Sequence, residues 1–177
     1  MRYFAAGSAC LAPPLLLASD VLLIQFISEP GLLVQRIALI VFLPAIAGAA
    51  VHGHGRARWF IAAGATLAIL GSLAIVVRQS VLAAPMRPPA ALFPLGLAVM
   101  SVGMMSSAAS RRIAALVAAG ALLFPFAHLT GFPMALILSD VSFLAAFWLL
   151  APSLIRHRAP GVVTPARGAM HSHSHMS

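Results

Sequence analysis

The chain has no lysine, one cysteine, one tyrosine and only three acidic residues among its 177 positions. Each scarcity removes a class of protein. Cys10, being alone, can form neither an internal disulfide nor a thiolate metal site. Too few apolar residues precede it for a lipoprotein leader, and in an apolar segment it reads as a small hydrophobe. Charged residues make up 8 % of the chain, against about a quarter in soluble domains, and no stretch is polar enough to form one. There is no phosphate-binding glycine loop, no HExxH pair and no CxxC. A haem held between two helices needs opposed ligands at similar depth, and His52 and His128 belong near opposite faces. Covalent catalysis needs a nucleophile beside a base, and no spacing here singles one out. The sequence therefore leans away from an enzyme.

What is abundant is apolar. Hydrophobic residues account for 62 % of the chain, and the mean hydropathy is +1.02. That composition belongs to integral membrane proteins, with the lipid bilayer as first partner. A net charge of +8 in a soluble protein would suggest nucleic acid. Here the 11 basic residues are all arginine and lie between apolar runs. They read as topology signals, and nucleic acid is not an expected partner.

A bilayer-spanning helix needs about 20 mostly apolar residues. Six runs qualify: Tyr3 to Ile27, Leu32 to Val51, Trp59 to Val77, Ala90 to Ala109, Ile113 to Leu129 and Pro133 to Leu150. The joining segments SEPG, HGHGRAR, RQSVLAAPMRPP, SRR and TGFP carry the breakers and charges. The expected fold is an all-α bundle of six transmembrane helices over residues 1–154. A disordered cytoplasmic tail, containing His and Met, follows at 155–177. With both termini cytoplasmic, eight arginines (2, 56, 58, 111, 112, 156, 158 and 167) fall inside. Three (36, 78 and 87) fall outside, as the positive-inside rule requires. Trp59 and Trp148 then lie near the inner interface as aromatic anchors. The absence of lysine suggests a GC-rich bacterial genome, hence a bacterial inner membrane. A competing reading makes residues 1–18 a signal peptide cleaved after LAS, leaving five spans.

Helices in lipid associate through close backbone contact. Small residues recur at four-residue spacing: Ala45, Ala49 and Gly53; Gly64, Ala68 and Ser72; Gly103 and Ser107; Ala114 and Ala118. Pro44 and Pro125 lie inside runs and tend to kink them. Met100 and Met104 share a helix face and read as adaptable packing.

The unusual residues are carboxylates. Asp20 and Asp140 each stand in a Ser-Asp-Val inside an apolar run. A charged group there costs at least about 2.5–3.5 kcal/mol and normally faces the bundle interior with a partner. On the expected topology both lie about 10 Å below the outer surface, with His128 on the same side. All three acids occupy that half. One reading pairs the aspartates with Arg36 or Arg78, with Glu29 as a further ion-pair partner. A second protonates one or both and bonds them to a backbone carbonyl. A third makes Asp20, Asp140 and His128 a site for a proton, a cation or a polar substrate. The tail ends MHSHSHMS, and His171, His173 and His175 could bind a transition metal there. Two functions fit. One is a small transporter or transporter subunit. The other is a non-catalytic accessory or assembly subunit, in a larger membrane complex or a homo-oligomer and metal-linked through its tail.

Overall fold

The computed structural model describes residues 2–25, 28–51, 57–81, 91–106 and 110–156. They form six helices: α1 (Arg2–Ile24), α2 (Ser28–Val51), α3 (Ala57–Val81), α4 (Leu92–Met104), α5 (Arg111–Thr130) and α6 (Pro133–Arg156). Five are long and apolar enough to cross a membrane. The exception is α4. Ala90 to Ala109 was expected to form one span, but the helix there has 13 residues, about 20 Å. Serine hydroxyls end it. Ser106 Oγ donates to the Gly103 carbonyl at 2.8 Å, and Ser110 Oγ donates to the Met104 carbonyl at 2.6 Å. The Ser106 backbone N–H also reaches the Gly103 carbonyl, at 3.4 Å. α6 runs six residues beyond the expected Leu150, and the chain beyond Arg156 lies outside the described residues.

Each helix packs on its neighbours in sequence, and α6 packs on α1, so the six close into a ring. Neighbours are antiparallel. α1 and α2 are closest at Ala5 with Gly48 and at Leu23 with Gly31. The C-terminal ends of α1, α3 and α5 therefore share one end of the bundle with the N-terminal ends of α2, α4 and α6. That end holds Asp20, Glu29 and Asp140, and we call it the acidic end. Among the described residues it also carries Arg36 and Arg78, whereas Arg2, Arg58, Arg111, Arg112 and Arg156 stand at the opposite end. Because α3 finishes at the acidic end and α5 starts at the opposite one, the segment between them crosses the bundle. The six helices thus alternate in direction, the short α4 among them.

Phenylalanines fill the ring. Phe42, Phe93, Phe143 and Phe147 are almost wholly buried. Phe42 meets Phe147 at 4.6 Å between centroids, and Phe93 lies 6.3 Å from both Phe124 and Phe143, all edge to face. This is the preferred aromatic geometry. Glycine makes room for the ring: a Cβ on Gly120 would lie 2.7 Å from Phe143.

The tightest seam joins α3 to α4. A Cβ on Gly64 would strike the Met100 backbone and come within 2.6 Å of the Gly96 carbonyl oxygen. One on Gly96 would strike the Ala68 backbone, and one on Gly71 the Phe93 backbone. Gly64 and Gly71 are seven apart, as are Gly96 and Gly103, so the small residues follow a heptad seam. Gly64, Ala68 and Gly103 were expected there. Gly71 and Gly96 were not, and Ser107 and Gly53 lie outside the described residues.

α1 contains Pro13 and Pro14 well inside the helix. Pro14 has no N–H, so it leaves the Cys10 carbonyl without its i+4 donor. Trp148 supplies one: its indole Nε1–H donates to the Cys10 oxygen at 3.1 Å. Trp148 therefore does more than anchor the bundle at an interface, as the sequence suggested; it repairs the backbone of a neighbouring helix. Trp59 is exposed near the start of α3, with the Arg58 guanidinium 5.7 Å from its ring centroid.

Two outcomes test this packing. Trp148→Phe should cost about 1–3 kcal/mol through the orphaned carbonyl. In a Pro14→Ala background, where the amide returns, the same change should cost much less, as a double-mutant cycle of unfolding in detergent would show. Gly96→Leu should destabilise the bundle by about 1–3 kcal/mol or more. Gly7→Ala should be neutral in the same assay, because nothing lies within 4 Å of its Cβ position.

Candidate functional site

The α1–α6 contact places the two aspartates together. Their carboxyls meet side chain to side chain, at 1 % and 0 % exposure. The register is confirmed further along, where Cys10 and Trp148 meet ten residues before Asp20 and eight after Asp140.

Hydrogen-bond donors are what this site lacks. Ser19 Oγ lies 2.6 Å from the Leu16 carbonyl and 3.3 Å from Asp20 Oδ1. A hydroxyl has one hydrogen, and the shorter contact takes it. Ser139 donates to the Gly120 carbonyl of α5 at 2.8 Å, and Ser142 to Leu138 of its own helix. Asp20 Oδ2 and both Asp140 oxygens are buried with no partner of their own. Ser139 thus spends its hydrogen away from Asp140, and Ser19 offers Asp20 only the longer of its two contacts. Two ionised carboxylates cannot rest against each other in an apolar interior without a compensating charge. The geometry suits a proton between the two groups, one carboxyl donating to the other, or a bound cation.

No arginine among the described residues is hydrogen-bonded to either aspartate. Arg36 turns to α3 and donates from Nη2 to the Gln79 carbonyl at 2.7 Å. Glu29 is exposed on the first turn of α2. His128 also stands apart. It is exposed on the last turn of α5, with its ring edge-on to Phe124 at 4.6 Å. The structure therefore joins Asp20 to Asp140 and leaves His128 outside the pair. Among the described residues no three of His, Cys, Asp and Glu are grouped to hold a metal ion. His171, His173 and His175 lie outside those residues.

A second polar cluster lies between α2 and α3. Gln79 Nε2 donates to Gln35 Oε1 at 2.7 Å, and both side chains are buried. Gln79 was missed in the sequence reading, which ended the third span at Val77. A signal was present: Gln35-Arg36 on one helix and Arg78-Gln79 on the next are reversed dipeptides, which antiparallel packing brings level. Three residues from the Leu23–Gly31 contact along each chain, Asp20 comes level with Val34, so both polar clusters occupy one layer. On the far side of that layer the phenylalanines begin, with Phe143 one turn beyond Asp140.

No protein-family model, curated protein or solved structure matches the chain.

The donor deficit has a direct consequence. Asp140→Asn gives the pair a permanent N–H donor and should leave stability unchanged or slightly higher. Asp140→Leu strands Asp20 alone and should cost about 1–3 kcal/mol. Chemical denaturation of the two variants in detergent measures the difference.

Proposed function

We propose that the protein is a six-pass membrane protein of a bacterial inner membrane, with both termini cytoplasmic and the acidic end outward. It works as a small transporter or transporter subunit, and the Asp20–Asp140 pair is its proton- or cation-binding site. The observation that carries this reading is the burial of two touching carboxyls, three of whose four oxygens have no partner, the fourth having only a 3.3 Å contact from Ser19 Oγ. A purely structural pair would be expected to hold an arginine or a backbone amide. This pair leaves its oxygens open to an exchangeable ion. Intramembrane ionisable groups commonly mark such pathways.

The arginine distribution supports the orientation, since the opposite end carries most of the positive charge. The phenylalanine cluster supports the access route. It fills the bundle on one side of the aspartates, so in this conformation the shorter way to the pair is from the acidic end. His128, exposed at that end, stands where an ion would enter and not in the binding layer.

The accessory-subunit reading rests on a different feature. An open groove of about 470 Å³ runs between α1 and α6 near the opposite end, lined by Tyr3, Gly7, Cys10, Trp148 and Pro152. Co-purification with a larger complex would favour that reading.

Flux in reconstituted vesicles tests the site. Wild-type protein should dissipate an imposed proton or alkali-cation gradient. Asp20→Asn and Asp140→Asn should each lose that activity while accumulating normally. Wild-type protein that moves no ion, or variants that move ions as it does, would overturn the transporter reading. Failure of both variants to accumulate would make the pair structural.

A further inference from the structure

The atoms around the aspartate pair discriminate between a proton and a metal cation. A divalent cation such as calcium or magnesium needs a shell of about six or more oxygens. The pair offers its four carboxyl oxygens and the Ser19 hydroxyl, which lies 3.3 Å from Asp20 Oδ1. Asp20 and Asp140 are 1 % and 0 % exposed, so solvent does not complete the shell. Membrane proteins that bind sodium draw further ligands from the backbone carbonyls of unwound helix. Here α1 and α6 stay helical through Ser19-Asp20 and Ser139-Asp140. The carbonyls that the motif serines reach, Leu16 and Gly120, already accept from those serines. The Cys10 carbonyl, freed by Pro14, lies ten residues from Asp20 and is taken by Trp148.

A proton asks for far less. It needs two oxygens, and a carboxylic acid donating to a carboxylate makes a short, charge-assisted bond. Asp20 and Asp140 supply both sides of that bond from adjacent helices. Without the proton, two carboxylates would repel each other in an apolar interior. Other charged and titratable groups stand away from the pair. Among the described residues those on the helices packed against it are Glu29 and Arg36 of α2 and Arg111, Arg112 and His128 of α5. Arg2, Tyr3 and Cys10 lie on α1 itself and Arg156 on α6. Arg36 reaches α3, Glu29 and His128 are exposed near the ends of their helices, and the others lie toward the opposite end.

We propose that Asp20 and Asp140 share one proton and that the pair selects protons over metal cations. The choice of ion deepens the transport reading and rests on it, whereas the shared proton belongs to the pair whether or not the protein moves ions. Sharing has a distinctive consequence. Asparagine at either position gives the remaining carboxylate an amide N–H in place of the proton. Each single variant therefore loses the proton altogether. Two carboxyls protonated independently would behave differently, because each single variant would keep one acid.

Infrared difference spectra of the full chain in neutral detergent would compare wild type with Asp20→Asn and Asp140→Asn at neutral pH, in water and in heavy water. The expected result is the carbonyl stretch of one protonated carboxyl in wild type, shifted in heavy water and absent from both variants. That band should not change when sodium, potassium or calcium chloride replaces choline chloride at matched ionic strength. A wild-type spectrum without the band would overturn the proposal. So would a band that survives in either variant, or one that a metal cation displaces. The cation titration needs no substitution, so it decides the matter even if a variant does not fold. Flux in reconstituted vesicles separates this proposal from the reading beneath it. Proton flux, with sodium and potassium flux no greater than in the asparagine variants, supports both. Sodium or potassium flux without proton flux overturns the choice of ion and keeps the transporter. Flux of no ion overturns the transporter, and the infrared band alone then decides the shared proton.

Discussion

The contact between α1 and α6 determines most of what this molecule can do. It closes the ring between the first and last helices, and it does so with polar groups in an apolar setting. At one end of the contact two carboxyls meet with three of their four oxygens unpartnered. Further along, an indole N–H meets a carbonyl that proline has stripped of its partner. In an apolar medium every unmade hydrogen bond is costly. The tryptophan contact removes one such cost and fixes the register. That register in turn forces Asp20 and Asp140 together, so a backbone repair at one level positions an unsatisfied pair at another.

The rest of the ring packs by shape. Between α3 and α4 glycine lets backbone lie on backbone, which gives dense van der Waals contact where no hydrophobic drive exists in lipid. Space released there and at Gly120 goes to the phenylalanines, which interlock edge to face across four helices. The two devices are complementary: small residues bring helices close at the seams, and large rings fill the interior that remains. A filled interior with a polar layer at one end is a different object from an open channel. Among the described residues the rings leave the polar layer backed by apolar packing on the side away from the acidic end.

Much of this was legible in the sequence because membrane helices are read by run length and by misplaced charge. Five spans were recognisable from hydropathy, and the pairing of Asp20 with Asp140 followed from the shared Ser-Asp-Val and the antiparallel alternation. The fourth span was overestimated because hydropathy counts apolar residues without asking where hydroxyls end the helix. Gly96 and Gly71 escaped because small residues were sought at a spacing of four, whereas this seam repeats at seven. The role of Trp148 could not be read from its own neighbourhood. It depends on Pro14, more than 130 residues away in the chain. The position of His128 relative to the aspartates was less legible for a related reason: a residue's depth in a bundle can be read from run length, but its bearing around the helix axis is set by packing.

The two polar clusters share one layer, and they are satisfied differently. In the aspartate pair three of four carboxyl oxygens have no partner, whereas Gln35 and Gln79 are joined by their own hydrogen bond. Arginine and aspartate are kept apart in this layer: Asp20 is turned toward α6, and Arg36 reaches the Gln79 carbonyl of α3. An arginine–aspartate ion pair would have supplied the missing donors and neutralised the carboxyls. It would also have closed them to any exchangeable ion. On the transport reading, the separation of the two kinds of charge is therefore what leaves the pair able to take up a proton or a cation.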